Sequence, residues 1–326
     1  MKIIIRRYAL VAYVVVLCSA CVILWMLLFI SSDDVVSPFG RIHRTSEDKI
    51  ILDYGSNGVL SANIDGDNAE GQAGVGRSRP FLLPDSTALR NMSWGDLSNL
   101  YHMYLNVTQI HCSDILRVGH VTDGGWDVCN DKPFAPKAPC VVYSFGIGDD
   151  FSFDNAVVRH FGCKVYSFDP SMSMESKQRS DKTFFYKQGI ADSDRTLPNG
   201  WQMSRFESFR AGLKHMKIPI SIVKLDIEEW EWEVLPDILA SGHLATVNQL
   251  LLELHQCEGC SMYNPQQEDK EPPRDHYIHM LELLRDLHNQ NFRLFHFHWN
   301  SACNYLSKFT MTQRSACVDV GFVRIS

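Results

Sequence analysis

From residue 140 onward the chain alternates short apolar runs with amphipathic stretches, and this alternation restricts the fold more than any other feature. Val141–Phe145 is an apolar run ended by Gly146. Ser152 stands where a helix cap belongs, Phe153, Val157 and Phe161 recur at spacing 4, and Gly162 closes the segment. Lys164–Phe168, Thr183–Gln188, Pro219–Leu225, Val247–Leu254, Phe292–His298 and Val318–Ile325 read as further strands. Helical spacing between them is carried by Phe206, Phe209 and Leu213, by Trp232, Leu235 and Leu239, and by Tyr277 through Leu287. Strands alternating with helices predict an α/β chain. The expected fold is a doubly wound, mostly parallel, seven-stranded Rossmann-like sheet covered on both faces, with the last two strands antiparallel at one edge.

The preceding residues predict an address. Tyr8 to Ile30 is 23 residues without a charge, enough for a helix to cross a hydrocarbon core of about 30 Å. A cleavable signal has an apolar region of only about 7–15 residues, so an uncleaved anchor is expected. Lys2, Arg6 and Arg7 precede the run and Asp33 and Asp34 follow it, which keeps residues 1–7 cytosolic and sends the rest into the lumen as a single-pass type II protein of Golgi layout. Residues 31–90, rich in Gly, Asn, Asp and Ser, read as a flexible stem, 91–139 as an extension wrapping the domain, and 140–326 as the domain itself. Asn91-Met-Ser93 and Asn106-Val-Thr108 are glycosylation sequons on the lumenal side. Eight lumenal cysteines are an even set, for which disulfides are the expectation in an oxidising compartment. The net charge of −7 argues against a nucleic-acid partner.

Ligands of an open parallel sheet bind beyond the carboxyl ends of its strands, so the residues just after each strand are the candidate site. The first strand leads into Gly146-Ile147-Gly148, where glycines let a ligand approach the backbone closely and leave N–H groups free. The second ends at Asp169, 23 residues after Gly146 and suited to both hydroxyls of a ribose. The third leads to Asp192, placed for an adenine amino group. The fourth ends at Asp226, with Glu228 close behind, and the fifth carries Glu253 and His255 on one side. A dinucleotide fingerprint needs a third glycine, and Phe151 stands there instead. S-adenosylmethionine has no phosphate, and the glycine pair with Asp169 suits it. His255, Cys257, Cys260, His296 and His298 have the letters of a zinc site, but an oxidising compartment favours disulfides. Helical spacing sends Trp232 to the core and allows Trp230 to face the mouth of the site.

At these residues the chain resembles a known family. Val141–Asp154 and Gly162–Ser171, with Gly124–Cys129 upstream, look like the methyltransferase-like protein 24 family, and Lys224–Leu235 is similar to a segment of FkbM-type O-methyltransferases. The resemblance covers about residues 110–326 and implies a methyltransferase fold with Gly146, Gly148 and Asp169 at S-adenosylmethionine. Glu229 stands where FkbM enzymes have Gly, and a side chain there is expected to narrow the acceptor site.

The expected activity is O-methylation of a lumenal small-molecule, glycan or lipid acceptor. His255, with an ordinary pKa of about 6.5, is the first candidate for the base that removes the acceptor proton, amid Asp226, Glu228 and Glu253. A divalent metal on Asp226 and Glu253, an arrangement similar to catechol-type O-methyltransferases, is the less favoured alternative. Two carboxylates are a thin set for a hard cation that takes about six oxygens. Two competing readings are a Golgi glycosyltransferase, with Asp192-Ser-Asp194 or Asp65-Gly-Asp67 holding a metal and sugar nucleotide, and a catalytically silent ectodomain of the same fold.

Overall fold

The computed structural model describes residues 81–122, 124–256 and 271–325, together with the backbone of four strands between 35 and 62. Two units result, and the first is a four-stranded antiparallel meander of Val35–Ser37, Gly40–Arg44, Ile50–Tyr54 and Gly58–Ala62. These strands, and a helix from Ser86, fall inside the span read as a flexible stem. Apolar runs such as Ile50-Ile51-Leu52 lie between the Gly- and Asp-rich stretches that dominate its composition. Among the described residues no helix is long and apolar enough to cross a membrane, and the apolar run 8–30 lies outside them.

Among the described residues the second unit is built on one large sheet. Its main strands are β1 (Val141–Phe145), β2 (Lys164–Phe168), β3 (Thr183–Tyr186), β4 (Ile220–Leu225), β5 (Val247–His255), β6 (Phe292–Trp299) and β7 (Cys317–Arg324). The spatial order is β6-β7-β5-β4-β1-β2-β3, with the two-residue strand Lys177–Gln178 antiparallel outside β3, so the described sheet has eight strands where seven are expected. β4 is buried at every position, as a central parallel strand covered on both faces must be. β7 alone runs against the set: it pairs antiparallel with both β5 and β6, so β6 points the same way as β1 to β5. The expectation that both final strands run antiparallel is corrected here. β6 follows a long helix and enters by a crossover, whereas β7 follows a short excursion that turns straight back.

The helices are α1 (Ser86–Asn91), α2 (Trp94–Leu105), α3 (Ser152–Phe161), α4 (Phe206–Gly212), α5 (Glu231–Ala240) and α6 (Arg274–Asn289). α3 ends as expected at Gly162, whose φ of 70° is a left-handed cap. Its start differs: Ser152 is the first helical residue, and its N–H is held by Asp150 Oδ1 at 2.8 Å. Leu97, Leu100 and Tyr101 of α2 join α5 and α6 in the core on one face of the sheet. Phe153 and Val157 of α3 form the core of the other face with Val118, Trp126 and Val128 from the hairpin Ile115–Val118/Trp126–Cys129. Gln249, fully buried in β5, ties that hairpin down: its Oε1 accepts from Cys129 N, and its Nε2 donates to the Cys129 and Phe134 carbonyls. The segment preceding residue 140 therefore supplies core to both faces.

Three disulfides stand among the described residues: Cys112–Cys129, Cys140–Cys163 and Cys303–Cys317. Cys257 and Cys260 lie outside them. Cys140–Cys163 joins the residues immediately before β1 and β2, closing a separation of 23 residues. Replacing both by Ala is expected to remove about 2–4 kcal/mol and lower the Tm by roughly 5–15 °C. Calorimetry under non-reducing conditions checks this, and an unchanged Tm shows that the staple adds nothing.

Candidate functional site

The cleft begins where β1 ends. Gly146 has φ +75°, and a Cβ there would lie 1.6 Å from the Asp226 carbonyl oxygen, so no other residue fits. That contact lets the ends of β1 and β4 meet on either side of the position where the strand order reverses, the place where open α/β sheets bind ligands. Gly148, at φ +55°, is glycine for another reason: nothing lies within 4 Å of where its Cβ would stand, leaving the loop bare toward the cleft.

Asp169 closes this loop. Its Oδ2 accepts from the Ile147 and Gly148 amides at 2.7 and 3.0 Å, and its Oδ1 accepts from the Ser171 amide and hydroxyl at 2.8 and 2.6 Å. Burial alone would raise its pKa, but the Ser171, Gly148 and Ile147 hydrogen bonds hold it below the usual carboxylate value. The carboxylate thus organises the backbone as well as facing the cleft, which its spacing from Gly146 does not reveal.

The opposite wall carries the acids. His255, at the end of β5, is 8% exposed, and its Nδ1 lies 3.3 Å from Oε1 of the wholly buried Glu231. Glu231 Oε1 also accepts from Ile227 N at 2.9 Å, fixing it at the start of α5. His255 Nε2 faces Glu228 Oε2 at 3.7 Å and Glu253 Oε1 at 3.9 Å. Asn300 Nδ2 donates to Glu253 at 3.1 Å, and Lys224 Nζ donates to Asp226 Oδ2 at 3.1 Å. Burial alone would lower the His255 pKa, but the Glu231 hydrogen bond and the Glu231, Glu253 and Glu228 charges push it up to about 10. Burial, together with Asp226 and Asp319, raises Glu253. Both ring nitrogens thus face carboxylates, Nδ1 toward Glu231 and Nε2 toward Glu228 and Glu253. His255, the first candidate for the base, is brought into the cleft, and the burial that keeps water out also surrounds it with carboxylates.

The walls enclose a cavity of about 630 Å³ lined by Gly146, Ile147, Gly148, Asp169, Asp226, Glu228, Glu253 and His255, which the structure brings together as the strand ends predict. Trp230 lines it too, while Trp232 is in the core. Asp192 does not join them. It is exposed and ion-paired with Arg195. Asp194 accepts from Arg205 N and Ser208 Oγ at the start of α4, so both acids of Asp192-Ser-Asp194 are engaged by neighbouring residues of the chain. Asp65-Gly-Asp67 lies outside the described residues. His296 and His298 pair with Asp127 and Asp319, apart from His255. Glu229 is absent from the cavity lining. Its φ of +78° lies in the left-handed region that disfavours side chains. Glu231, Lys224 and Asn300 are site residues that strand-end reading misses, and of these only Lys224 lies in a strand.

A family model described as "Methyltransferase domain" matches residues 87–324. "Probable methyltransferase-like protein 24" of Homo sapiens is 26% identical over 208 residues, covering 59% of this chain and 55% of that protein. The Rattus norvegicus protein of that name is 27% identical over 208 residues, with the same shares covered. The chain thus spans about half the length of the curated relatives it matches.

Asp169→Asn turns an acceptor into a partial donor facing buried N–H groups and is expected to destabilise the domain by about 1–3 kcal/mol. Since the folded pKa is depressed, the wild-type contribution is full above the unfolded value of about 3.8 and fades as pH falls through the folded pKa. The difference in urea midpoint between wild type and variant should therefore shrink in acid. A gap independent of pH overturns the clamp.

Proposed function

The chain belongs to a family of methyltransferase domains, the match running through all seven main strands, and from that premise we propose S-adenosylmethionine-dependent methyl transfer to an oxygen of a small-molecule, glycan or lipid acceptor in the secretory-pathway lumen. The observation that carries this reading is the two-sided cleft, with a bare glycine loop clamped by Asp169 on one wall and the carboxylate–imidazole cluster on the other.

The residues present fit the cofactor. Gly148 leaves the cleft open above the loop. Asp169 holds the loop amides through Oδ2 and would offer Oδ1 to the ribose diol in exchange for the Ser171 hydroxyl. Asp192 is absent from the lining of the cavity. When bound, S-adenosylmethionine supplies an electrophilic methyl group. The chain's part is to orient the acceptor, exclude water and hold the proton released as the new O–C bond forms. Trp201 and Trp230 wall the cleft, and Asp226, Glu228, Glu253 and His255 stand at the end where that proton leaves.

Location follows from a separate line of support. Charge flanks of the apolar run 8–30 favour a type II anchor, and disulfides in the body suit an oxidising lumen of the Golgi type. Asn91 is exposed at the end of α1, open to a glycan, whereas Asn106 is half-buried and accepts from Trp299 Nε1 at 2.8 Å.

Isothermal titration tests the activity class. S-adenosylhomocysteine should bind and sugar nucleotides should not, and Asp169→Ala should weaken binding at least about tenfold through loss of charge-assisted hydrogen bonds. Unchanged affinity in the variant overturns the cofactor site. For location, the C-terminus in sealed microsomes should resist protease and the chain should lose mass with endoglycosidase. An accessible, unglycosylated C-terminus reverses the orientation.

A further inference from the structure

The two edges of the sheet carry opposite charge. Asp169, Asp226, Glu228 and Glu253 line the cleft beyond the carboxyl ends of the strands. At the amino ends stand Lys137 before β1, Lys164 at the start of β2, Lys182 before β3, and Lys214 and Lys217 before β4. Lys182 is half-buried and the other four are exposed. None of the five is ion-paired among the described residues, whereas Lys187 and Lys224 are paired with Glu175 and Asp226. Residues 132–140, 162–164, 179–182 and 213–219, which lead into these four strands, hold Asp181 as their single acid. In a chain with a net charge of −7, such an edge is a local reversal of sign.

Backbone pairing sets the lysines in a row. Lys164 N donates to the Cys140 carbonyl and Val165 N to the Lys182 carbonyl, each at 2.8 Å, so β1, β2 and β3 start side by side. Lys182 Nζ and Ala138 Cβ both lie 3.6 Å from where a Cβ of Gly162 would stand, which brings the turns before β1 and β3 together. Neighbouring strands are about 4.8 Å apart, so the order β4-β1-β2-β3 spreads the row over about 15 Å.

Arg210 fixes one end of this row. It is wholly buried beneath the turn before β4, and its Nη2 donates to the His215 and Ile218 carbonyls at 2.9 Å and to the Met216 carbonyl at 3.3 Å. No carboxylate pairs with it among the described residues, so its charge adds to that of the edge. A turn held this firmly presents Lys214 and Lys217 with little further ordering on binding. Arg159 and His160 nearby have a local role, since they occupy the last turn of α3, where cations offset the helix dipole. The five lysines lie outside the helices.

We propose that this amino edge is a docking surface for a linear polyanion, a sulfated or uronate-bearing glycan chain lying across the starts of β4, β1, β2 and β3. An extended chain with a charge on each sugar matches a row of cations one strand apart. Anionic lipids are concentrated in the cytoplasmic leaflet, so a body in the lumen meets its polyanions as glycans. The choice of a glycan rests on the lumenal reading; the cation row does not. The surface is independent of methyl transfer, because it lies at the opposite ends of the strands from the cleft and leaves the cleft open.

The test applies the full-length chain in non-ionic detergent to immobilised heparin at about 0.15 M salt. Retention is expected in spite of the net charge of −7. In titration with a heparin oligosaccharide, Lys164→Ala/Lys182→Ala/Lys217→Ala should weaken binding at least about tenfold and flatten the dependence of log affinity on log salt, because fewer counterions are released. Met216→Ser/Ile218→Ser, on the exposed apolar side chains beside the lysines, should leave heparin affinity unchanged. The Tm and the S-adenosylhomocysteine affinity of the lysine variant should equal those of the wild type, which assigns the loss to the edge and not to unfolding. Wild-type flow-through, or equal affinity in the lysine variant, overturns the proposal. Capture by immobilised phosphatidylserine and not by heparin makes the surface a lipid contact and overturns it likewise. Heparin binding without S-adenosylhomocysteine binding leaves the docking surface standing and removes the methyl-transfer reading.

Discussion

The approach of Gly146 to the Asp226 carbonyl governs the arrangement at the carboxyl edge of the sheet. A side chain at position 146 would put carbon 1.6 Å from that oxygen. Without the contact, the loop after β1 could not lie against the end of β4. The two walls of the cleft, the Asp169-clamped loop and the acid cluster, then would not face one another. Lys224 reinforces the same junction from below: buried within β4, it donates to both the Gly146 carbonyl and the Asp226 carboxylate. One cation thus joins the glycine loop to the first of the acids, and its charge offsets a carboxylate that burial would otherwise penalise.

The remaining architecture keeps that junction rigid. Gln249 fastens the upstream hairpin to β5 four residues before Glu253, so the strand carrying Glu253 and His255 is gripped ahead of the cleft. β7, running against β5, sets Asp319 opposite Glu253 and Cys317 opposite His255. The carboxylate density around Glu253 is therefore a product of sheet register. Glu231 reaches back to the Ile227 amide, which couples the orientation of His255 to the first turn of α5. Positive φ at Glu228 and Glu229 makes this turn costly, by about 1–3 kcal/mol at each residue. The packing of Trp232 and the buried Glu231 around the turn opposes relaxation.

Much of this was legible in the chain before folding. Period-2 and period-4 patterns locate β1, β2, β4, β5 and their helices because the core must remove apolar side chains from water, and only those spacings put such residues on one face. The glycines, the acids at 169, 226 and 253, and His255 are legible for the same reason: a strand's carboxyl end is where its loop must leave the core. Asp192 stands apart from them, exposed and paired with Arg195, a partner close in sequence. Glu231 and Asn300 are silent because each acts across the fold, on residues 24 and 47 positions away.

By itself, then, the amino-acid order determined the α/β class, the strands and helices of the parallel sheet, and the loops that carry the cleft, since all of these follow from local spacing of apolar residues, glycine and turn formers. Tertiary structure alone decided the direction of β6, the pairing of the cysteines, the clamp role of Asp169 and the carboxylates that surround His255. These depend on groups that meet only after the chain is packed. A histidine becomes a base, an imidazolium or a ligand according to which charges burial brings within about 4 Å of it, where a reduced dielectric makes each of them count.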